Sequence, residues 1–186
     1  MAKIKAERYL YASARVRAME NGIFSSSQAD ALLEARNPGE MLKILAAAGY
    51  DTQDADPEDP AFYEKLLSDK RGEVLRDVAE MAPEEGLFDF FLYLYDYHNI
   101  KVLLKGEILN QESDRLLMDA GTIRPDQMKK AVQERSATIL TEEMLKGIQA
   151  AVEAYAVNQN SQMIDIVLDR YCFADMLRCA RRTGSE

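Results

Sequence analysis

Residues 87–104 read LFDFFLYLYDYHNIKVLL and include the most apolar stretch of this 186-residue chain. On a helical projection, apolar side chains occupy nearly every face of this segment. A helix of this kind is buried in a protein core, because a surface helix keeps one face polar. The sequence therefore predicts a central, buried helix over residues 87–104.

Amphipathic helical spacing dominates the rest of the chain. Between residues 9 and 23, apolar side chains recur at steps of three and four, and Gly22 offers a left-handed C-terminal cap. Capping residues at Ser25 and Asn37 predict two short helices after it. Further helices are predicted over residues 62–80, 141–157 and 162–180, and an exposed acidic loop over residues 51–60. No stretch reads convincingly as a strand, so the predicted fold class is all-α.

An internal repeat is the second organising feature. Tyr9-Leu10-Tyr11 and Tyr93-Leu94-Tyr95 are identical and lie 84 residues apart. The same offset pairs Val16 with Ile100, Arg17 with Lys101, Met19 with Leu103, Gly22 with Gly106, Phe24 with Ile108, and Asp30 with Asp114. We interpret these matches as two tandem homologous helical repeats, over residues 1–86 and 87–161, followed by a C-terminal helix over residues 162–186. The alternative is the apolar spacing that any two amphipathic helices share.

Charge and cysteine content exclude several classes of partner. The chain has 23 Lys and Arg against 32 Asp and Glu, a formal net charge of -9, which repels nucleic-acid phosphates and anionic lipid headgroups. We therefore expect no nucleic-acid partner and no direct lipid binding. Asp89 and Asp96 interrupt the most apolar stretch, which argues against a membrane span. Cys172 and Cys179 form no Cys-x-x-Cys motif, as is typical of a protein from a reducing compartment.

Residues able to do chemistry do not form a catalytic pattern. The sole histidine, His98, lies two residues from Asp96, a spacing that faces different sides of a helix. It has no Glu-x-x-His partner for a di-metal site, neither cysteine has an activating base, and no Gly-rich phosphate loop is present. The five tyrosines that could stack on a ligand have the spacing of a helical core: Tyr9, Tyr11, Tyr93, Tyr95 and Tyr97. No catalytic, cofactor-binding or metal-binding residue is predicted.

Three segments carry a family resemblance. They are YLYASARVRAME at residues 9–20, YDYHNIKVLLKGEIL at residues 95–109, and IDIVLDRYCFADML at residues 164–177. In this order they resemble the C subunit of the archaeal and bacterial A/V-type ATPases, whose eukaryotic relative is the d subunit of the V-ATPase. The block His98-Asn99-Ile100-Lys101 is the most specific part of the match.

The resemblance implies a non-catalytic subunit without cofactor or metal. It implies an all-α, funnel-shaped protein of three related helical units about a pseudo-threefold axis. Such a subunit lies between the central stalk and the membrane rotor ring, peripheral to the cytoplasmic face of the membrane. Its expected role is to transmit torque during ATP-driven H⁺ or Na⁺ transport, with the stalk subunits and the rotor ring as partners.

The sequence departs from that family pattern after Leu177, where nothing supplies a third copy. We expect a chain truncated before its third repeat, whose uncovered apolar faces favour self-association. Two other hypotheses remain open at this stage. One is a generic helical-repeat scaffold with other partners, and the other is a helical enzyme that uses His98.

Overall fold

The computed structural model describes residues 6–53, 55–83 and 86–183, and all regular secondary structure within these ranges is helical. Two 3-10 turns lie at Ala6–Tyr9 and Asp114–Leu116. The α-helices are α1 (Leu10–Glu20), α2 (Ser26–Leu33), α3 (Pro38–Ala47), α4 (Pro60–Met81), α5 (Asp89–Leu109), α6 (Pro125–Glu134), α7 (Glu142–Asn158) and α8 (Gln162–Thr183). The predicted all-α fold class is confirmed.

The described chain forms two compact units. The N-terminal unit ends at Pro83 and contains α1 to α4, and the C-terminal unit contains α5 to α8. Within the C-terminal unit, α8 packs against both α5 and α7. The repeat boundaries inferred from the sequence, after residues 86 and 161, stay a prediction.

Side-chain caps define the helix starts of the N-terminal unit. Ser25 Oγ accepts the N–H of Gln28 at 3.3 Å while Gln28 Oε1 accepts the N–H of Ser25 at 2.9 Å, the reciprocal pattern of a capping box. Asn37 Oδ1 accepts the N–H of Glu40 at 2.9 Å, and Pro38 opens α3. Both predicted helix starts are confirmed. Asp59 caps α4 in the same way, at the end of the acidic loop.

The core of the N-terminal unit is small. The described residues place Leu42, Leu45 and Leu66 at its centre, where α3 meets α4. Phe24 and Tyr50 stack beside them with ring centroids 6.0 Å apart. Little apolar area is therefore available to hold this unit together.

Helix α1 differs from its prediction. It ends at Glu20, and its C-cap is Asn21 in the right-handed region with φ of −67°, so the left-handed cap predicted at Gly22 is wrong. No residue of α1 is buried. Its apolar stripe is interrupted by alanines, whose small side chains anchor a helix weakly.

Helix α5 is the centre of the C-terminal unit. Tyr97, Ile100 and Leu104 are fully buried against α6, α7 and α8, as the sequence predicts for residues 87–104. The prediction of burial on every side is wrong for one face, because Phe91 and Leu94 are about half exposed. An apolar sequence reveals which side chains can be buried, whereas burial itself depends on how many helices surround them.

Helices α5 and α8 run antiparallel. Position numbers rise along α5 while those of their partners fall along α8, from Tyr97 with Asp175 to Lys105 with Asp165. Helix α7 approaches α8 closely at Gly147, where an added Cβ would lie 3.1 Å from Tyr171 Cβ. The three helices form the main core of this unit.

Candidate interaction surface and its buried supports

A buried carboxylate ties α5 to the turn before α6. Asp96 is fully buried and accepts hydrogen bonds from Thr122 Oγ1 at 2.6 Å, Thr122 N–H at 3.0 Å and Ile123 N–H at 3.1 Å. Burial raises the pKa of Asp96 above its ordinary value, against the opposing effect of these hydrogen bonds. Gly121 makes the approach possible, because a Cβ at that position would overlap Asp96 Oδ1.

The next two polar residues of α5 hold the preceding segment of the same loop. Asn99 Nδ2 donates to the carbonyl of Met118 and Asn99 Oδ1 accepts the Met118 N–H, both at 2.8 Å. His98 Nε2 lies 3.0 Å from the carbonyl of Leu116, so it is the nitrogen that carries the proton. His98 and Asn99, the first two residues of the block at residues 98–101, therefore hold this loop in place, and His98 makes a structural contact.

A second buried carboxylate joins three helices. Asp175 Oδ2 on α8 accepts from Tyr97 Oη of α5 at 2.9 Å and from Thr141 Oγ1 at the start of α7 at 2.6 Å. Burial, followed by the negative charge of Asp175, raises the pKa of Tyr97 well above its ordinary value, so the hydroxyl stays protonated as the donor. The sequence pattern did not predict this cluster. Its signal was a charge on the buried face of α8, at helical spacing from Cys172 and Cys179.

Both cysteines have packing roles. Cys172 and Cys179 are free and buried, with Sγ atoms 3.9 Å from the carbonyl of Tyr93 and 3.3 Å from that of Gly86. Burial is the main cause that raises the pKa of Cys172 to about 12, and it also raises that of Cys179. Since the thiolate is the reactive form, neither side chain is a nucleophile at neutral pH.

The predicted tyrosine core is confirmed in part. Tyr97 is fully buried, and Tyr93 packs against the same core with its pKa raised to about 12, mainly by burial. Tyr11, by contrast, is largely exposed on α1. The matching Tyr-Leu-Tyr stretches at residues 9–11 and 93–95 thus differ in how far their tyrosines are buried.

The exposed side of the α5 and α8 pair carries large apolar side chains. Cys172 of α8 contacts the backbone of Tyr93 of α5. In two antiparallel right-handed helices, the residue that comes directly after each of two contacting residues points to the same side of the helix pair. Leu94 and Phe173 occupy these positions, with Phe91 and Leu177 one turn beyond them. We call these four residues the α5–α8 face; they are 47%, 63%, 51% and 51% exposed, respectively.

Two ion pairs continue this side of the helix pair. Lys101 Nζ lies 2.5 Å from Asp169 Oδ1, and Lys105 Nζ lies 2.7 Å from Asp165 Oδ2. Both pairs bridge α5 to α8. Within each pair, the lysine and the aspartate neutralise each other's charge, and together the pairs fix the register of the two helices. The α5–α8 face is therefore an apolar patch next to a neutral polar segment.

The described part of the chain forms neither a metal-binding cluster nor a membrane-spanning helix. Residues 6–53, 55–83 and 86–183 contain no cluster of three or more His, Cys, Asp or Glu side chains suited to a metal ion. Among the same residues, no helix combines the length and the apolar character needed to cross a bilayer. A shallow depression on α4 of the N-terminal unit is lined by both charge signs, including Lys65, Asp69 and Glu73.

The described fold and its surface define a class of protein: a two-unit helical chain whose most distinctive residues make structural contacts and whose C-terminal unit carries an exposed apolar face. The family described as ATP synthase (C/AC39) subunit matches residues 12–186. The chain belongs to this family, whose members are subunits of V-type and A-type ATPases.

Two curated relatives agree with this assignment. The C subunit of the V-type sodium ATPase of Enterococcus hirae is 25% identical over 169 residues, covering 91% of this chain and 51% of the relative. The C subunit of the A-type ATP synthase of Methanocaldococcus jannaschii is 22% identical over 192 residues, covering 96% of this chain and 48% of the relative. The chain thus spans about half the length of these relatives. No solved structure gives a significant match.

Proposed function

We propose that this chain acts as a non-catalytic central-stalk subunit of a V-type or A-type rotary ATPase. It links the stalk to the membrane rotor ring and transmits torque during ATP-driven transport of H⁺ or Na⁺. The observation that carries the proposal is the family match over residues 12–186. Both relatives are named as the C subunit of such ATPases.

The bonding of the C-terminal unit supports a mechanical role. Asp96 and Asn99 attach α5 to the loop before α6, and Asp175 attaches it to α7 and α8. These bonds are buried or partly buried, where a low dielectric strengthens them. We expect helices joined by such bonds to move together, which suits a subunit that transmits torque to its neighbours.

The placement of reactive groups supports a non-catalytic role. His98 Nε2 donates to a backbone carbonyl, and both cysteine thiols have raised pKa values. A general base requires a ring nitrogen positioned toward a substrate, and a nucleophile requires an accessible thiolate. The enzyme hypothesis therefore gains no support from the residues that suggested it.

The partners and location follow from the same proposal. The subunit attaches at the cytoplasmic face of the membrane through the rotor ring protein and the stalk, and its net charge of -9 disfavours attachment through anionic lipid. A generic helical scaffold with unrelated partners is the alternative function. It shares the fold but not the family-specific block at residues 98–101.

Reconstitution tests the proposal. The purified chain is mixed with the rotor ring and the stalk subunits of its own ATPase in detergent, and the mixture is separated by size. We expect the chain to elute with the ring and stalk, and ATP-driven ion uptake to rise when the chain is added to vesicles that contain its ATPase, with the catalytic subunits, assembled without it. Failure to bind either partner would favour the scaffold alternative, and ATP turnover by the isolated chain that vanishes in His98→Ala would favour the enzyme.

A further inference from the structure

The α5–α8 face is framed by two arginines on α8. Arg170 lies about one turn before Phe173, and Arg181 lies about one turn after Leu177. Both arginines are exposed, and neither forms an ion pair with any residue in the described part of the chain. Their neighbours on the same helix differ, since Arg178 pairs with Glu143 and Arg182 pairs with Asp89.

This arrangement combines an apolar centre with positive charge at both ends. The two arginines are 11 residues apart, which corresponds to ~16 Å along a helix. Phe173 and Leu177 lie between them on the same side of α8, and the geometry of the antiparallel helix pair places the exposed Leu94 of α5 on that side as well. On a chain with a net charge of -9, two cations without acidic partners among the described residues mark a surface complementary to carboxylates.

We propose that the α5–α8 face binds one acidic amphipathic helix from another protein. The partner places apolar side chains at helical spacing on Phe173, Leu177 and Leu94, and its two carboxylates, about three turns apart, pair with Arg170 and Arg181. The partner is defined here by its chemistry. The expectation that the helix belongs to another ATPase subunit rests on the proposed function.

Charge argues against a second copy as the occupant. If two α8 helices packed antiparallel about a twofold axis through the patch, Arg170 of one copy would face Arg181 of the other. Like charges brought together in this way weaken the contact. Self-association, which the sequence led us to expect, is therefore the less favoured use of this face.

A peptide binding experiment on the full chain tests the inference. The probe is a fluorescent amphipathic helical peptide of about 18 residues, with leucines on one side and two glutamates about three turns apart. The matched peptide has lysines in place of the glutamates. We expect the glutamate peptide to bind at least about tenfold more tightly in low salt, and the preference to shrink as salt is added.

Charge reversal gives the decisive comparison. In the Arg170→Glu/Arg181→Glu variant, we expect the glutamate peptide to lose about tenfold in affinity and the lysine peptide to gain. The control variant, Lys43→Glu/Lys130→Glu, makes the same change in net charge at exposed lysines elsewhere and should keep the original preference. Circular dichroism confirms that each variant is folded. Equal binding of both peptides, or no binding up to about 1 mM, overturns the proposal.

Two further measurements separate other occupants. A concentration-dependent dimer in sedimentation that disappears in Phe173→Glu would show a second copy on this face. Arginine-dependent pelleting with phosphatidylserine vesicles would show a lipid surface. Either result overturns the acidic-helix proposal. The proposed function fails separately, since it is judged by co-elution with the rotor ring and stalk rather than by peptide binding.

Discussion

Asp96 is the residue on which the loop before α6 depends. Its carboxylate accepts three hydrogen bonds, and no cation is among its donors. A side chain that gives up one acceptor position leaves a buried N–H or O–H without a partner. Such a loss costs more than the bond itself contributes, because the unpaired group stays out of water.

Asp96→Asn should destabilise the protein by about 1–3 kcal/mol, because the amide NH₂ cannot accept from Thr122 or Ile123. Urea unfolding followed by circular dichroism measures the change. Asp126→Asn is the control, since that carboxylate is exposed and, among the residues the structure describes, pairs only with Arg124, and its cost should stay within about 0.5 kcal/mol. Equal costs for the two variants would show that the buried contacts are not formed.

The raised pKa of Asp96 predicts how that difference depends on pH. In the folded state this carboxyl holds its proton to higher pH than in the unfolded state, so its contribution to stability is greatest below its unfolded pKa. That contribution is lost as pH rises through the folded pKa. The stability gap between wild type and Asp96→Asn should therefore narrow from about pH 4 upward. A gap that widens would mean that hydrogen bonds outweigh burial and lower the pKa.

Gly121 supplies a steric test of the same contact. Gly121→Ala places a Cβ closer to Asp96 Oδ1 than two nonbonded atoms can approach, so the carboxylate or the turn must move, at a cost of about 1–3 kcal/mol. Gly39→Ala is matched to it, because that Cβ would meet only Asn37 Oδ1 at 3.4 Å in a helical backbone. Thermal unfolding should show a lower Tm for the first variant and an unchanged or higher Tm for the second.

At the scale of single helices, α5 has one face that stabilises the fold and one that is exposed. Leu104→Ala should cost about 2–5 kcal/mol, because Leu104 is fully buried and its removal leaves a cavity. Phe91→Ala should cost under about 1.5 kcal/mol, because half of that ring already meets water. Urea titration of both variants measures the contrast. A loss of several kcal/mol for Phe91→Ala would place that ring in the core.

The end of α7 carries a strained residue. Gln159 adopts a left-handed backbone with φ of 52°, a conformation that glycine reaches without steric cost. Gln159→Gly should therefore raise the stability by about 0.5–1 kcal/mol. Asn110→Gly at the end of α5 should gain less, because asparagine tolerates the left-handed region. Thermal melts of the two variants give the comparison, and a lower Tm for Gln159→Gly would contradict it.

Particular residues show how far the sequence predicts these helices. Local signals at Ser25 and Asn37 gave the helix starts correctly, because capping involves residues three apart. The left-handed cap predicted at Gly22 was wrong, because a glycine can adopt a left-handed conformation but does not have to. The contacts of Asp96 and Asp175 join residues 26 or more positions apart, which helical spacing alone does not reveal. Likewise, apolar spacing in α5 did not show that Phe91 and Leu94 are exposed.

At the scale of the whole molecule, the two units differ in how much apolar surface they bury. The described core of the N-terminal unit centres on Leu42, Leu45 and Leu66, while that of the C-terminal unit extends through α5, α6, α7 and α8. The latter also contains the buried contacts of Asp96 and Asp175. A unit with fewer buried contacts opens at lower free energy.

Hydrogen exchange followed by mass spectrometry should reveal this difference. Amides of α1 should exchange first, because none of its residues is buried, and those of α5 and α7 should be protected longest. Urea should release the N-terminal unit at a lower concentration than the C-terminal unit. Equal protection of α1 and α5 would mean that the chain opens as a single cooperative body.

Because both natural thiols are buried, the folded protein should react little with thiol-directed labels, which makes it suitable for site-directed labelling. A maleimide dye reacts with thiolates, and Cys172 and Cys179 present almost none at neutral pH while the chain is folded. A single cysteine introduced on the α5–α8 face by Phe173→Cys would then take the dye alone, without removal of the natural cysteines. The dye would report the arrival of a partner at that position, and slow labelling of the two natural thiols would count the molecules that have come unfolded.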